Sequence, residues 1–168
     1  MKEKEQKQIF EKWLIQYRAL VFKIVKAYAN SLEDQDDLFQ EISIQLWHSI
    51  SSFKGESTPV TWIYRISLNT AIKWSRKSTK HQHDPLEKVE HVLQESQIPI
   101  DPRLDWLYAQ IHQLDEIDRS LALLLLDDFS YKEMSNILGI SESYVGVKIN
   151  RIKKQLISKL NTYNNHEI

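Results

Sequence analysis

Residues 127–156 read DDFSYKEMSNILGISESYVGVKINRIKKQL, and this stretch predicts the fold of the C-terminal part of the chain. Two short amphipathic segments meet between Leu138 and Ser141, and the second segment carries a run of cations. This pattern predicts a helix-turn-helix, a motif that places its second helix in the major groove of DNA. It indicates duplex DNA as a partner without indicating what the protein does there.

Helix caps and hydrophobic spacing support the motif. Ser130 is placed to cap the first helix, Gly139 supplies the left-handed residue that ends it, and Ser141 caps the second helix. The positions expected to face the core are Met134, Ile137, Leu138, Val145, Ile149, Ile152 and Leu156. The positions of the second helix left to face outward are Ser143, Tyr144, Gly146, Val147, Lys148, Asn150, Arg151 and Lys154.

The chemistry of the outward positions suits DNA. The N-terminal part of a recognition helix contacts bases, while cations further along mostly hold phosphates. Lys148 and Arg151 carry donors for guanine edges or phosphates. The alternative is a basic surface helix of an α-helical bundle, in which Gly139 ends a helix that has no role in DNA binding.

Composition limits the class of protein. Only three glycines and four prolines occur among 168 residues, which favours helix over turn-rich β structure. The chain has no cysteine, so disulfides and thiolate metal sites are excluded. No window approaches about 20 consecutive apolar residues, and the charged start MKEKEQKQ is not a secretory signal. We expect a cytoplasmic protein without a membrane span.

The net charge of −1 conceals a strong segregation of charge along the chain. Residues 73–80 and 142–160 are basic, whereas residues 84–118 hold nine acids against two cations. Because fields between exposed charges act within a Debye length of about 8 Å, the local patches matter more than the total. Two basic surfaces that flank an acidic stretch are compatible with DNA binding.

Hydrophobic periodicity predicts an all-α chain. In the first half of the chain the expected helices are 5–30, a helix that follows the acids of 33–37 and carries Leu38 to Ile50, and a helix capped by Thr58 that runs from Pro59 to about Lys77. In the second half they are 104–114, 119–129, 131–138 and 143–161. Periodicity fades over 78–103, where three prolines predict a linker with at most a short helix near 86–95. We therefore expect two small helical domains, 1–77 and 104–168, joined by an acidic linker.

A second set of residues lies on the helix predicted after Thr58. Residues 58–76 interleave aromatic rings with polar and cationic side chains: Trp62, Tyr64 and Trp74 with Arg65, Asn69, Lys73 and Arg76. Such a surface suits single-stranded DNA, because rings stack on bases and cations hold the backbone. The alternative is plain core packing, since aromatics at helical spacing are usually buried.

Together these segments resemble a bacterial RNA polymerase sigma factor of the extracytoplasmic-function (ECF) group of the sigma-70 family, and the resemblance covers nearly the whole chain. Residues 36–47, DDLFQEISIQLW, are similar to sigma region 2.2. Residues 53–55, FKG, followed by 61–69, TWIYRISLN, are similar to regions 2.3 and 2.4. Residues 119–156 are similar to region 4.

The resemblance implies a transcription initiation factor that binds core RNA polymerase and directs it to promoters. In this family region 2.2 docks on the clamp helices of the polymerase β′ subunit, which implies contacts by Asp37, Leu38, Gln40, Glu41 and Gln45. Regions 2.3 and 2.4 melt and read the minus-ten element, which implies Phe53, Lys54, Trp62, Arg65, Asn69, Lys73 and Arg76. Region 4 reads the minus-thirty-five element, which implies Ser141, Ser143, Tyr144, Val147, Lys148, Arg151 and Lys154.

The same resemblance implies partners and limits chemistry. The expected partners are core RNA polymerase, through its β′ clamp helices and β flap, promoter DNA, and an anti-sigma factor. The loop at 51–57 and residues near Trp62 are expected to trap an unpaired base, and the acidic linker to run through the RNA exit path. No bond is made or broken, so we expect no catalytic residue, metal, cofactor or small-molecule substrate.

Three positions depart from the family pattern. Primary sigma factors carry two adjacent tryptophans at the melting edge, whereas Trp62 is followed by Ile63, which suggests weaker melting and stricter dependence on promoter match. Lys73 stands where an acid is often found. Gly146 stands where a cation is frequent, and it weakens the helix by about 1 kcal/mol relative to alanine.

Two other functions compete with this one. The first is a two-domain helix-turn-helix regulator whose N-terminal domain binds a partner other than polymerase. The second is a metal-dependent enzyme that uses His81, His83 and His91, with Asp84 nearby. The histidine segment is linker-like and has no glutamate on an adjacent helix, which disfavours the metal enzyme.

Overall fold

Helices form all the regular secondary structure in the described parts of the chain. The computed structural model describes residues 1–78 and 101–166, which contain eight α-helices. The chain divides into two compact units, Met1–Pro102 (unit 1) and Arg103–Ile168 (unit 2). The predicted all-α fold is therefore confirmed. The short helix expected near 86–95 lies outside the described residues.

Unit 1 contains four helices: α1 Glu3–Gln16, α2 Arg18–Tyr28, α3 Leu32–Ile50 and α4 Pro59–Ser78. The prediction of one continuous helix over 5–30 is wrong, because Tyr17 leaves helical geometry with φ −111° and ψ 15°. The Tyr17 N–H still bonds to the carbonyl of Trp13, and its own carbonyl accepts from Val21. Periodicity misses this break because the apolar spacing continues across a single non-helical residue.

Side-chain caps start both α3 and α4, and the cap at Thr58 is the predicted one. The Ser31 hydroxyl accepts a hydrogen bond from the Asp34 N–H at 3.1 Å, and the Thr58 hydroxyl accepts from the Thr61 N–H at 3.3 Å. Pro59 occupies the first position of α4. The core-facing stripe of α3 consists of Leu38, Ile42, Leu46 and Ile50, all buried. α3 packs against α1, α2 and α4.

Unit 2 contains α5 Pro102–His112, α6 Glu116–Leu126, α7 Tyr131–Leu138 and α8 Glu142–His166. The predicted bounds of α6 are shifted toward the C-terminus. It begins at Glu116 because the Asp115 carboxylate accepts from the Asp118 N–H at 2.9 Å. It ends at Leu126 because Asp128 adopts a left-handed conformation with φ 60°.

The helix-turn-helix forms as predicted. Ser130 and Glu133 exchange both bonds of a capping box at the start of α7. Gly139 ends α7 with φ 68°, and the Ser141 hydroxyl accepts from the Tyr144 N–H at 3.1 Å at the start of α8. The core beneath the motif contains Ile111, Leu121, Leu124, Met134, Ile137, Val145, Ile149 and Ile152.

The buried Arg119 stabilises the join between α5 and α6. Its guanidinium donates to the carbonyls of His112 at 2.7 Å and Leu114 at 2.9 Å, which lie at the C-terminal end of α5 and in the turn that follows. A cation at this place satisfies carbonyls that the helix itself leaves without partners. Arg119 thereby links the start of α6 to the end of α5.

Substitution of alanine for the two glycines of the motif should have opposite effects on stability. Gly139→Ala should lower the free energy of unfolding by about 1–2 kcal/mol, because a side chain at φ 68° is strained. Gly146→Ala should raise it by up to about 1 kcal/mol, because α8 is regular there and the new Cβ would lie 3.7 Å from the Tyr131 ring, an ordinary contact.

Urea denaturation followed by circular dichroism measures both changes. Each variant is the control for the other, since both exchange glycine for alanine within the same motif. A stabilised Gly139→Ala variant, or a destabilised Gly146→Ala variant, would contradict the geometry of the turn.

Candidate nucleic-acid interfaces

The N-terminal half of α8 exposes most of the side chains predicted to contact DNA. Tyr144 is 46% exposed and Val147 is 58% exposed. The other exposed residues of the predicted set are Ser141, Ser143, Arg151 and Lys154. The surface therefore combines apolar contact groups near the start of the helix with cations one to two turns further on.

Lys148 does not face outward as expected. Its side chain is only 14% exposed, and its Nζ lies 3.0 Å from Asp118 Oδ1 and 3.7 Å from Asp115 Oδ2 at the start of α6. The Tyr144 ring centroid lies 5.5 Å from the same nitrogen. The close contact with the Asp118 carboxylate raises the pKa of Lys148, and attraction to both carboxylates adds to the effect. The ammonium group is thus neutralised by acids of its own unit.

Asp115 and Asp118 are neighbours of the recognition helix that the sequence does not indicate. Their only local signal is the cap at the start of α6, where Asp115 accepts from the Asp118 N–H. Nothing in the spacing along the chain indicates that the start of α6 lies beside Lys148 on α8.

Gly146 also lies on the inner side of α8, contrary to the expectation that it faces outward. The residue is half-buried, and a Cβ placed there would meet the ring of Tyr131 on α7 at 3.7 Å. Its position explains why the helix has room for glycine. A long cation at this place would have to pass the Tyr131 ring.

In unit 1 an aromatic cluster supports the edge predicted to open DNA. Phe53 lies between Trp13 and Trp62, with ring centroids 5.2 Å and 5.4 Å away. The Trp62 indole N–H donates to the Ser49 hydroxyl at 3.3 Å. Phe53 and Trp62 are both half-buried, whereas Trp13 is buried. Trp13, on the apolar face of α1, packs against Phe53 from the core side of the cluster.

Core packing is the correct interpretation for some of the aromatic and apolar residues near this edge. Tyr64 is fully buried, as is Ile63, which follows Trp62. A core residue, Ile63, therefore stands where primary sigma factors have the second tryptophan, and Trp62 keeps part of its ring accessible.

The exposed face of α4 carries the predicted polar and cationic residues. Asn69, Lys73 and Arg76 are exposed, Arg65 is half-buried, and Lys54 is exposed in the loop before the helix. The residues on α4 recur at steps of four, four and three and therefore share one side of the helix. The structure brings them together as expected.

Polar residues of α3 form the face predicted to bind a protein partner. Asp37, Gln40 and Gln45 are exposed, Glu41 is half-buried, and the Gln45 amide donates to the Glu41 carboxylate at 3.2 Å. Leu38, predicted to contact a partner with these residues, is fully buried and is not part of the exposed face. It belongs to the apolar stripe of α3 and supports this face from the core.

A groove of about 640 Å³ lies between the polar faces of α3 and α4. The α3 side is acidic, with Asp34, Asp37 and Glu41, while Lys73 and Lys77 lie on the α4 side. The Trp74 indole N–H donates to Asp37 Oδ2 at 2.8 Å across the groove. The predicted protein-binding and DNA-binding faces are therefore adjacent and linked by a hydrogen bond.

Other predicted features concern metals and membranes. Within residues 1–78 and 101–166, no group of three or more histidine, cysteine or carboxylate side chains could hold a metal ion. His81, His83, Asp84 and His91 lie outside the described residues. None of the helices in the described ranges has the length and hydropathy of a membrane span.

Both units match models of known protein families. Residues 14–81 match the model of sigma-70 region 2, and residues 104–156 match the model of sigma-70 region 4. The two matches together cover well over half of the chain and follow the order of the predicted segments.

Curated relatives and solved structures of similar fold are also found. RNA polymerase sigma factor YlaC of Bacillus subtilis is 27% identical over 84% of this chain and 86% of its own length. The ECF RNA polymerase sigma-E factor of Escherichia coli is 25% identical over 94% and 90%. The sigma factor RpoE, solved with the anti-sigma factor NepR from Bartonella quintana, has a TM-score of 0.69 at 18% identity and covers 92% of this chain and 98% of that chain.

The hydrogen bond across the groove predicts coupled effects of its two partners. Trp74→Phe should lower the free energy of unfolding by about 1 kcal/mol, because the indole N–H donor is lost. Asp37→Ala should cost a similar amount, and the double variant little more than either single change. Urea denaturation measures the three values, and fully additive losses would show that the bond contributes nothing.

Proposed function

The chain belongs to the sigma-70 family of RNA polymerase sigma factors, within its ECF group, and from this membership we propose its function: a transcription initiation factor that binds core RNA polymerase and directs it to specific promoters. The observation that carries this function is the presence, in order on one chain, of a region 2 match and a helix-turn-helix that matches region 4. A regulator that does not bind polymerase would have no need of region 2.

We assign the two tasks to different segments. Residues 1–77 bind polymerase and recognise and melt the minus-ten element, residues 78–103 link the domains, and residues 104–168 recognise the minus-thirty-five element. The division is supported by the separate apolar cores of the two units. Each unit then presents its own surface to the transcription complex.

The polymerase surface is assigned to the polar face of α3. Asp37, Gln40, Glu41 and Gln45 lie on the solvent side of a helix whose opposite side is buried. Such a face suits docking on another protein's helices, since charged and amide groups set partner choice and register. Leu38 is left out of this surface because it is fully buried.

The minus-ten surface is assigned to α4 and the loop before it. Lys54, Arg65, Asn69, Lys73 and Arg76 supply backbone and base contacts, and the accessible parts of Phe53 and Trp62 supply rings for an unpaired base. Because Ile63 lies in the core, the edge offers one tryptophan where primary sigma factors have two. Opening then depends more strongly on a good match to the promoter.

The minus-thirty-five surface is assigned to α8. Ser141, Ser143, Tyr144 and Val147 stand where a recognition helix contacts base edges, and Arg151 and Lys154 where it holds phosphates. Lys148 is left out because Asp118 and Asp115 already pair with it.

The remaining parts of the function follow from this role. Promoter opening draws on binding free energy, so the protein acts without a catalytic residue and is not an enzyme. It works in the cytoplasm, where polymerase and promoters are. An anti-sigma factor is a further proposed partner, because a sigma factor of the same fold was solved in complex with one.

Charge reversal at Glu41 tests the polymerase surface. Glu41→Lys should weaken binding to core polymerase on the order of tenfold, because a charge in the proposed contact is inverted. Glu11→Lys is the matched control, since Glu11 is exposed on α1 outside the proposed surface. Both are measured by fluorescence titration of labelled protein with core polymerase. Wild-type protein that fails to bind polymerase would refute the proposed function.

In vitro transcription tests the division of labour. Core polymerase with this protein, supplied with a library of genomic fragments, should yield transcripts that define both promoter elements. Arg151→Ala should weaken holoenzyme binding to promoter duplex and make its salt dependence shallower by about 1 in the slope of log K against log salt, because a phosphate contact is lost. Asn69→Ala should spare that binding and reduce strand opening, measured by permanganate reactivity of unpaired thymines. The same pattern of defects in both variants would contradict the assignment of separate tasks.

A further inference from the structure

We propose that Asp118, assisted by Asp115, withholds Lys148 from DNA and makes it a positioning residue of the recognition helix. Lys148 lies among the residues that the family pattern aligns with DNA, yet its partners are carboxylates of the same unit. The inference rests on the proposed function, in which α8 reads promoter duplex.

The acids are fixed in place by the start of α6. Asp115 caps this helix and accepts from the Asp118 N–H at 2.9 Å, while Asp118 lies in its first turn. The side chain of Asp118 is only 19% exposed, so little water screens its 3.0 Å contact with Lys148. Phosphate would therefore have to displace a preformed, partly desolvated pair to bind this lysine.

The same pair positions the base-reading end of α8. Tyr144 lies one turn before Lys148, and its ring centroid is 5.5 Å from the ammonium nitrogen. The ammonium therefore lies close both to the acids of α6 and to the ring of the exposed tyrosine. An ordered lysine limits the orientations of the ring, which preorganises a contact residue before DNA arrives.

Arg151 and Lys154 differ from Lys148 in their surroundings. Both are exposed on the next turns of α8. A cation that neutralises one phosphate steepens the dependence of log K on log salt by about 0.9. Arg151 should therefore contribute to this slope, whereas Lys148 should not.

Withholding one cation also affects specificity. Non-specific binding to duplex is almost entirely electrostatic, so each cation kept from the backbone weakens binding to wrong sequences. Discrimination between sequences by α8 then depends more on Tyr144 and Val147, which stand at the base-reading end of the helix. Neutralising Asp118 should release Lys148 and raise affinity for any duplex.

Salt titrations of the full chain with a random-sequence 20-base-pair duplex test the inference. The charge-balanced double variant Lys148→Met/Asp118→Asn should keep the wild-type slope, whereas Arg151→Met should make it shallower by about 0.9. Asp118→Asn alone should steepen the slope by about 0.9 and tighten binding severalfold at low salt. A double variant that loses as much slope as Arg151→Met would overturn the proposal.

Unfolding of the same proteins gives an independent test. Lys148→Met and Asp118→Asn should each lower the folding equilibrium constant, and the double variant should recover about threefold relative to the product of the two losses. Lys148→Arg, which keeps the cation, should retain most of the stability. Strictly multiplicative losses would overturn the proposal. If the full chain bound no duplex, the proposed function would fail. The unfolding comparison of the two single variants with the double variant would still decide whether Lys148 and Asp118 interact.

Discussion

Every surface that this protein offers to a partner depends on which stripe of each helix is buried. In α3 the buried stripe consists of Leu38, Ile42, Leu46 and Ile50. Burial of one such side chain contributes about 1.5–3 kcal/mol, so a rotation of the helix that exposed the stripe would be strongly unfavourable. Burial of this stripe therefore directs the polar face with Asp37, Glu41 and Gln45 to solvent. The polar contacts on that face contribute little to the orientation of α3.

Helix caps add a second constraint, because they set where each helix begins and hence which residues share its exposed side. In unit 2 the capping box at Ser130, the left-handed Gly139 and the cap at Ser141 define the turn between α7 and α8. The cap at Asp115 has a further consequence, since it places two carboxylates at the start of α6 beside a lysine of α8. One local device thus both starts a helix and neutralises a charge on the recognition helix.

The placement of charged side chains on separate surfaces matters more in this protein than its net charge. The chain is nearly neutral overall, yet the groove of unit 1 has an acidic wall on α3 and cations on α4. On α8 one cation is paired internally while Arg151 and Lys154 are exposed. A sigma factor needs this separation, because one surface must bind protein and others must bind nucleic acid. If every cation were free to bind phosphate, the protein would bind DNA of any sequence.

The sequence by itself determined the helices, most of their caps, the helix-turn-helix and the family, because these depend on spacing and on residues within a few positions of one another. The bounds of α6 and the break at Tyr17 were not predicted, since a left-handed Asp128 and a single non-helical residue leave the apolar spacing unchanged. Only the tertiary structure decided that Tyr64 packs in the core, that Trp13 supports Phe53, and that Lys148 pairs with Asp118. Those facts depend on how one helix packs on another, and the periodicity of a single helix gives its buried side but not the side chains that it meets there.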